Sequence, residues 1–165
     1  PVDSEGNVGA TTLGAGQTLQ LPLLSGTPAP TSNIDLSVNL PSSAAVKTTT
    51  FDRLDPNTYN YSEQTTVYDS EGSAIPPTLS FVRTPSTADG DPADEWEVNM
   101  FVGNEQASAD PLAATPTALT LTFDGTGALT APTGAHTFGD VFPSGASAPL
   151  AISLNFGRPC FSLTA

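Results

Sequence analysis

The stretch Ile34-Asp35-Leu36-Ser37-Val38-Asn39-Leu40 sets an apolar side chain at every second position, with Asp35, Ser37 and Asn39 between them. Successive side chains of an extended chain point to opposite faces, so a period of two predicts a strand with one face buried and one wet. The same period returns downstream. Trp96, Val98 and Met100 alternate with Glu95, Glu97 and Asn99, while Leu119, Leu121 and Phe123 form a further stripe. Ile152, Leu154 and Phe156 alternate with Ala151, Ser153 and Asn155. Between these runs, Tyr61 to Tyr68 is rich in β-branched and aromatic residues and enters Asp69-Ser70-Glu71-Gly72, after which Pro77 to Arg83 reads as another strand. A glycine at the end of that turn suits positive φ, which predicts a hairpin joining the two runs. Asp124-Gly125-Thr126-Gly127 supplies a comparable turn back toward Leu129.

Helices are excluded by punctuation: 16 Pro and 14 Gly, spread over the whole length, leave few windows for ten uninterrupted helical residues. One-sided strands must cover one another. The expected fold class is therefore all-β, an antiparallel flattened β-barrel or sandwich, with long polar loops at 84–94 and 103–117. A chain of 165 residues accommodates one ordinary domain with a short appendage. We expect residues 31–157 to be the β domain. Residues 1–30, whose apolar patches are brief (Leu19, Leu21, Leu23, Leu24), are expected to be an extended strand-rich segment belonging or linking to a neighbouring domain, with Pro28-Ala29-Pro30 as a boundary. Residues 158–165 form a tail to which the pattern assigns no structure. The chain starts Pro1-Val2-Asp3 without Met, from which we expect a processed or excised piece of something longer.

Seventeen acidic residues face four basic ones, Lys47, Arg53, Arg83 and Arg158, for a net charge of -13. Such a surface repels phosphate backbones and anionic headgroups, so neither nucleic acid nor membrane is expected as a partner. No apolar run approaches the roughly 18 residues of a membrane span, and no charged start followed by an apolar stretch marks a signal peptide. Cys160 is the sole cysteine, which rules out an intrachain disulfide and leaves it a bystander.

The residues capable of chemistry are few. His136 is the single histidine, and Gly134-Ala135-His136-Thr137 carries no nucleophile motif, so it reads as a satisfied or surface side chain rather than a base. One His and one Cys do not build a zinc site. Asp89, Asp91 and Asp94 cluster as hard-cation ligands do, yet the glycine and terminal glutamate of a helix-loop-helix calcium loop are missing, and the reading is an acidic surface loop. Glu95 and Glu97 fall on one strand face, away from Trp96, where a glycosidase would need two carboxyls about 5–10 Å apart in an aromatic-lined cleft. No catalytic, cofactor-binding or metal-binding residue is expected, and the chain is read as a non-enzyme.

One long segment carries a resemblance. Phe51-Asp52-Arg53-Leu54-Asp55-Pro56-Asn57-Thr58-Tyr59-Asn60-Tyr61 leads to Thr65-Thr66-Val67-Tyr68-Asp69-Ser70-Glu71-Gly72. This resembles the middle domain of bacterial flagellar hook proteins, where a D-P-x-T-Y-N stretch precedes a T-V-Y-D-S-x-G hairpin. Leu79 to Arg83, Trp96 to Val98, Leu121 to Leu129 and Ile152 to Gly157 follow in that family's order. Rod subunits share parts of the architecture. Residues 1–26 resemble the stretch through which the inner domain feeds into the middle one. The helical termini that build the hook's inner tube are missing, and Arg158 to Ala165 match no family motif.

The resemblance implies a structural subunit fragment of the hook, the extracellular curved tube that joins motor to filament and transmits torque, exported without a cleavable signal. It implies as partners copies of the chain itself and the other axial proteins, namely rod, hook-filament junction and hook cap, with the isolated fragment monomeric. The alternative kept open by the fold alone is a secreted β-sandwich binding module, adhesin or carbohydrate-binding, which would need a groove with exposed aromatics or a bound ion.

Overall fold

The computed structural model describes residues 28–85 and 94–156. The expectations for residues 1–27 and 158–165, for Asp89 and Asp91, and for the role of Cys160 lie outside these residues.

The described residues form eleven strands and one short 3-10 turn, Pro56–Thr58. The strands are β1 (Asn33–Leu36), β2 (Tyr61–Gln64), β3 (Val67–Tyr68), β4 (Ala74–Ile75), β5 (Pro77–Thr84), β6 (Asp94–Val102), β7 (Glu105–Ala107), β8 (Leu119–Phe123), β9 (Leu129–Ala131), β10 (His136–Thr137) and β11 (Ser153–Phe156). The large sheet runs β2-β5-β6-β8-β9, with β7 also paired to β6. A small sheet runs β1-β11-β10, and β3 with β4 makes a separate ribbon.

The longest ladder joins β5 to β6, antiparallel from Pro77 opposite Val102 to Thr84 opposite Glu95. This register sets Leu79 against Met100 and Phe81 against Val98, and the β6–β8 register sets Trp96 against Leu121. All six side chains therefore share one face, and all six are buried. The small sheet covers them with Ile34, Leu36, Leu154 and Phe156, and one apolar core holds both layers together. The period-two stripes become facing layers because each would otherwise leave its apolar side in water.

The sandwich form of the expectation holds, since the large sheet's path ends at β2 and at β9 instead of closing into a barrel. Antiparallel pairing also holds except in one place: β1 and β11 are parallel, Asn33 opposite Ser153 through Leu36 opposite Phe156. Hydrogen bonding in the first stripe stops at Leu36, although burial still alternates through the half-buried Val38 to the buried Leu40.

The run Tyr61 to Tyr68 is two strands and not one. β2 pairs with β5, Tyr61 opposite Phe81, whereas β3 pairs with β4, Val67 opposite Ile75. The expected hairpin thus exists as two ladders with a break at Thr65 and Thr66. Its turn is as expected, with Gly72 at φ 81°. The loop expected at 103–117 is interrupted by β7, which folds back on β6 through Gly103 and Asn104. At the other expected turn, the Asp124 carboxylate accepts from Thr126 N at 2.9 Å, Thr126 Oγ1 at 2.6 Å and Ala128 N at 2.9 Å.

Candidate functional site

The face of the large sheet turned away from the core is where polar groups gather. Alternation puts Ser80 and Val82 of β5 and Glu97, Asn99 and Phe101 of β6 on it. Ser80, Val82 and Asn99 are nevertheless buried. Residues 41–60 explain why: this segment, which carries no strand, lies across the sheet as a strap.

The strap is fastened at both ends. Near its start, Lys47 N donates to Arg83 O at 2.8 Å and Arg83 Nη1 donates to Ala44 O at 2.6 Å. Asn60 bridges the same place, with Nδ2 donating to Ala45 O and Oδ1 accepting from Arg83 N, both at 2.8 Å. Farther along, the Arg53 guanidinium sits 5.1 Å over the Phe101 ring and donates to Gly103 O at 2.9 Å and Asn104 Oδ1 at 2.7 Å. Phe51 packs 6.1 Å from Phe101 and 6.2 Å from Tyr59. Beyond Arg53, Asp55 caps the 3-10 turn, accepting from Asn57 N at 3.0 Å and Asn57 Nδ2 at 2.8 Å. Those bonds hold its carboxyl below the usual range. The buried Thr58 hydroxyl accepts from Asp52 N at 3.0 Å and lies 2.8 Å from both Asp52 O and Asp55 O.

Strap and sheet leave a groove of about 730 Å³ between Lys47–Phe51 on one side and Pro116–Ala118 on the other, floored by Glu97, Asn99 and Gln106. Asn99 is 4% exposed, and its Oδ1 accepts from Gln106 Nε2 at 3.0 Å. Among the described residues its Nδ2 has no hydrogen-bond partner. Glu97 is half-buried; burial pushes its carboxyl up, and the Glu95 charge beside it adds to the effect.

A carboxyl whose folded pKa lies above its unfolded value binds more protons when folded, so its contribution to stability falls as pH rises through that window. At neutral pH the ionised Glu97 is therefore a net cost. Glu97→Gln is expected to raise the melting temperature at pH 7 and to flatten the decline of stability above about pH 4.5. Thermal unfolding from pH 4 to 8 checks this, and a lower melting temperature for the variant at pH 7 would contradict it.

The other residues singled out by the sequence fall elsewhere. His136 lies on β10, half-buried, with Nε2 3.0 Å from Ala109 O and its ring edge-on to Phe138 at 5.3 Å. Among the described residues it bonds no carboxylate or hydroxyl. Glu95 and Glu97 share the outer face while Trp96 points into the core, as alternation requires. No group of three or more His, Cys, Asp or Glu among the described residues is placed to hold a metal ion. Sequence reasoning missed Asn99 and the strap. Asn99 stood in the stripe as a polar residue bound for water, and the strap has no periodic pattern to mark it.

The described residues define an all-β, two-layer sandwich with a strapped polar face and scattered titratable groups. The comparisons carry this further. Residues 39–164 match the family model of the flagellar basal body protein FlaE D2 domain. No curated protein matches the chain. The match covers well over half of the sequence, and the chain belongs to that family. It is a structural domain of a flagellar hook protein, as the motif order around Tyr59 and Tyr68 implied.

Proposed function

We propose that this chain is the outer part of a hook subunit, that its sandwich packs against neighbouring copies in the extracellular tube between motor and filament, and that this packing sets how the tube bends under torque. The observation that carries the reading is the family match over residues 39–164. The physics is compatible with it. A bending tube needs contacts that reform at low cost, which favours polar interfaces of modest area over large apolar ones. A chain of net charge -13 repels its own copies, so the isolated domain is a monomer and its contacts become populated only where the polymer raises local concentration. Rod, hook-filament junction and hook cap are its further axial neighbours. Residues 31–157 act as the packing domain, and 1–30 connect it to the inner domain.

The test removes residues 31–157 in frame from the full-length subunit and images the hooks by electron microscopy. Tubes that still form but with altered curvature are the expected result. Hooks of normal curvature would overturn the reading, as would a tight dimer of the isolated chain in sedimentation at high concentration.

A further inference from the structure

We propose that neighbouring copies of this chain meet through a knob and a pocket: the loop at Leu112 of one copy seats its apex in the apolar pocket that Ile75, Val102, Phe142 and Pro143 form on the next. The proposal rests on the packing role given above and assigns it two surfaces.

The knob is formed before any partner arrives. Leu112 is 93% exposed. A lone exposed leucine is ordinary on a protein surface, but this one crowns a loop that is closed and tied at its base. Ala109 N donates to Thr117 O at 2.9 Å, Asp110 N to Thr117 Oγ1 at 3.0 Å and Thr117 N to Ser108 Oγ at 3.1 Å. At the apex, Leu112 N donates to Asp110 Oδ1 at 2.9 Å and Ala113 N to Asp110 O at 3.2 Å. Gly139 lets the loop lie close against the sandwich, since a Cβ there would stand 3.3 Å from Pro111 Cα. A loop held in this way has little freedom left to lose on binding, which lowers the entropic cost of a contact.

The pocket measures about 420 Å³ and takes a leucine side chain with room to spare. Phe142 forms one wall and is 65% exposed. Its position is fixed by Phe142 N donating to Glu105 Oε2 at 2.9 Å. The half-buried Ile75 and the buried Val102 and Pro143 complete the apolar lining. Seating Leu112 there takes two large exposed apolar side chains out of water at once. Charge does not oppose the contact. Asp110 is the sole charged residue from Ala107 to Phe123. Glu105 is the one carboxylate of the pocket lining, and the Arg53 guanidinium, bonded to Gly103 O and Asn104 Oδ1 of the same lining, balances it.

Placement selects a second copy as the occupant. Phe142 N bonds Glu105 while Gly139 N bonds Ser108 O at 2.8 Å, so the two segments run side by side in opposite directions. The pocket lies at the Glu105 and Phe142 end of this pair, and the loop leaves from the Ser108 and Gly139 end. One chain therefore carries both halves of the contact at different places. A contact between unlike surfaces is head-to-tail and repeats from copy to copy, as a helical polymer requires. One loop apex buries far less than the roughly 1,200–2,000 Å² of a stable complex, so free subunits stay apart and the contact fills only where a polymer holds neighbours close.

The test uses full-length subunits carrying Leu112→Cys and Ser144→Cys, with Cys160→Ser and no other cysteine. Hooks are assembled, mildly oxidised and separated without reductant. A ladder of linked copies, trimers and longer, is expected, at least tenfold stronger than with either single cysteine or with free subunits. Hooks that assemble yet give no ladder above the single-cysteine level overturn the proposal and leave the hook reading intact. Products that stop at dimers overturn it as well, because they mean a closed pair. A photo-crosslinker at position 112 of otherwise unchanged subunits serves if the cysteine variant does not assemble. It is expected to mark residues 142–144 of a second copy, and a link to another surface or to another axial protein overturns the proposal. Failure of wild-type subunits to enter hooks at all would instead sink the packing role on which it rests.

Discussion

Replacing Trp96 with alanine is expected to cost about 3–5 kcal/mol of folding stability, most of what a marginally stable domain holds in reserve. Trp96 is 0% exposed and lies at the middle of the large sheet, opposite Arg83 on β5 and Leu121 on β8. Tyr61 stacks on it from the edge strand with ring centroids 6.0 Å apart. The cavity left by alanine would open between two sheets held by backbone ladders, which collapse poorly. Trp96→Phe separates packing from polarity. Among the described residues the indole Nε1 has no hydrogen-bond partner, and a buried unsatisfied donor costs about 1–3 kcal/mol. Phenylalanine removes that donor while keeping most of the apolar surface, so its cost should be less than half that of alanine. Urea unfolding at constant m-value measures both. An alanine variant within about 1 kcal/mol of the wild type would mean that Trp96 is not the centre of the core.

The central strands were legible because their environment is simple. β5, β6 and β8 each have one dry face, and a one-sided environment writes a period of two into the sequence. The turn at Gly72 was legible because positive φ restricts the residue type. What escaped depends on contacts between distant parts of the chain. The parallel pairing of Asn33 with Ser153 joins the two ends of the described domain, and neither strand's pattern encodes its partner's direction. β2 was merged with β3 because Tyr61 and Tyr68 look alike in composition, though both are exposed and their strands lie in different sheets. The outer face was misread as wet for the same kind of reason. Ser80, Val82 and Asn99 are buried by residues that are remote in sequence, and the polar Asn99 gives no local sign that a strap will cover it.

The turn at Asp69 to Gly72 should be the second sensitive point, and its two key residues should fail together. β3 and β4 share only two residue pairs, Val67 with Ile75 and Tyr68 with Ala74, so the ladder is too short to stand without its turn. Asp69 is 5% exposed and does most of the fastening: its Oδ1 accepts from Glu71 N at 3.0 Å and Ser73 N at 2.7 Å. Its backbone adds bonds from Asp69 N to Ser73 O at 3.0 Å and from Gly72 N to Asp69 O at 3.1 Å. Asp69→Ala removes two charge-assisted bonds at once and is expected to cost about 2–3 kcal/mol. Gly72→Val places a β-branched residue at φ 81° and is expected to cost about 1–2 kcal/mol from backbone strain. Space does not drive that second cost, because a Cβ on Gly72 would meet Pro28 no closer than 3.4 Å. Either change loosens the turn that keeps Val67 in the core, and a turn already lost cannot be lost again. The double variant should therefore fall short of the sum of the singles by at least about 0.5 kcal/mol. Chemical unfolding of the four proteins in the cycle decides the point: strict additivity would mean that the carboxylate and the glycine support separate structures, and an unchanged stability for Gly72→Val would remove the hairpin altogether.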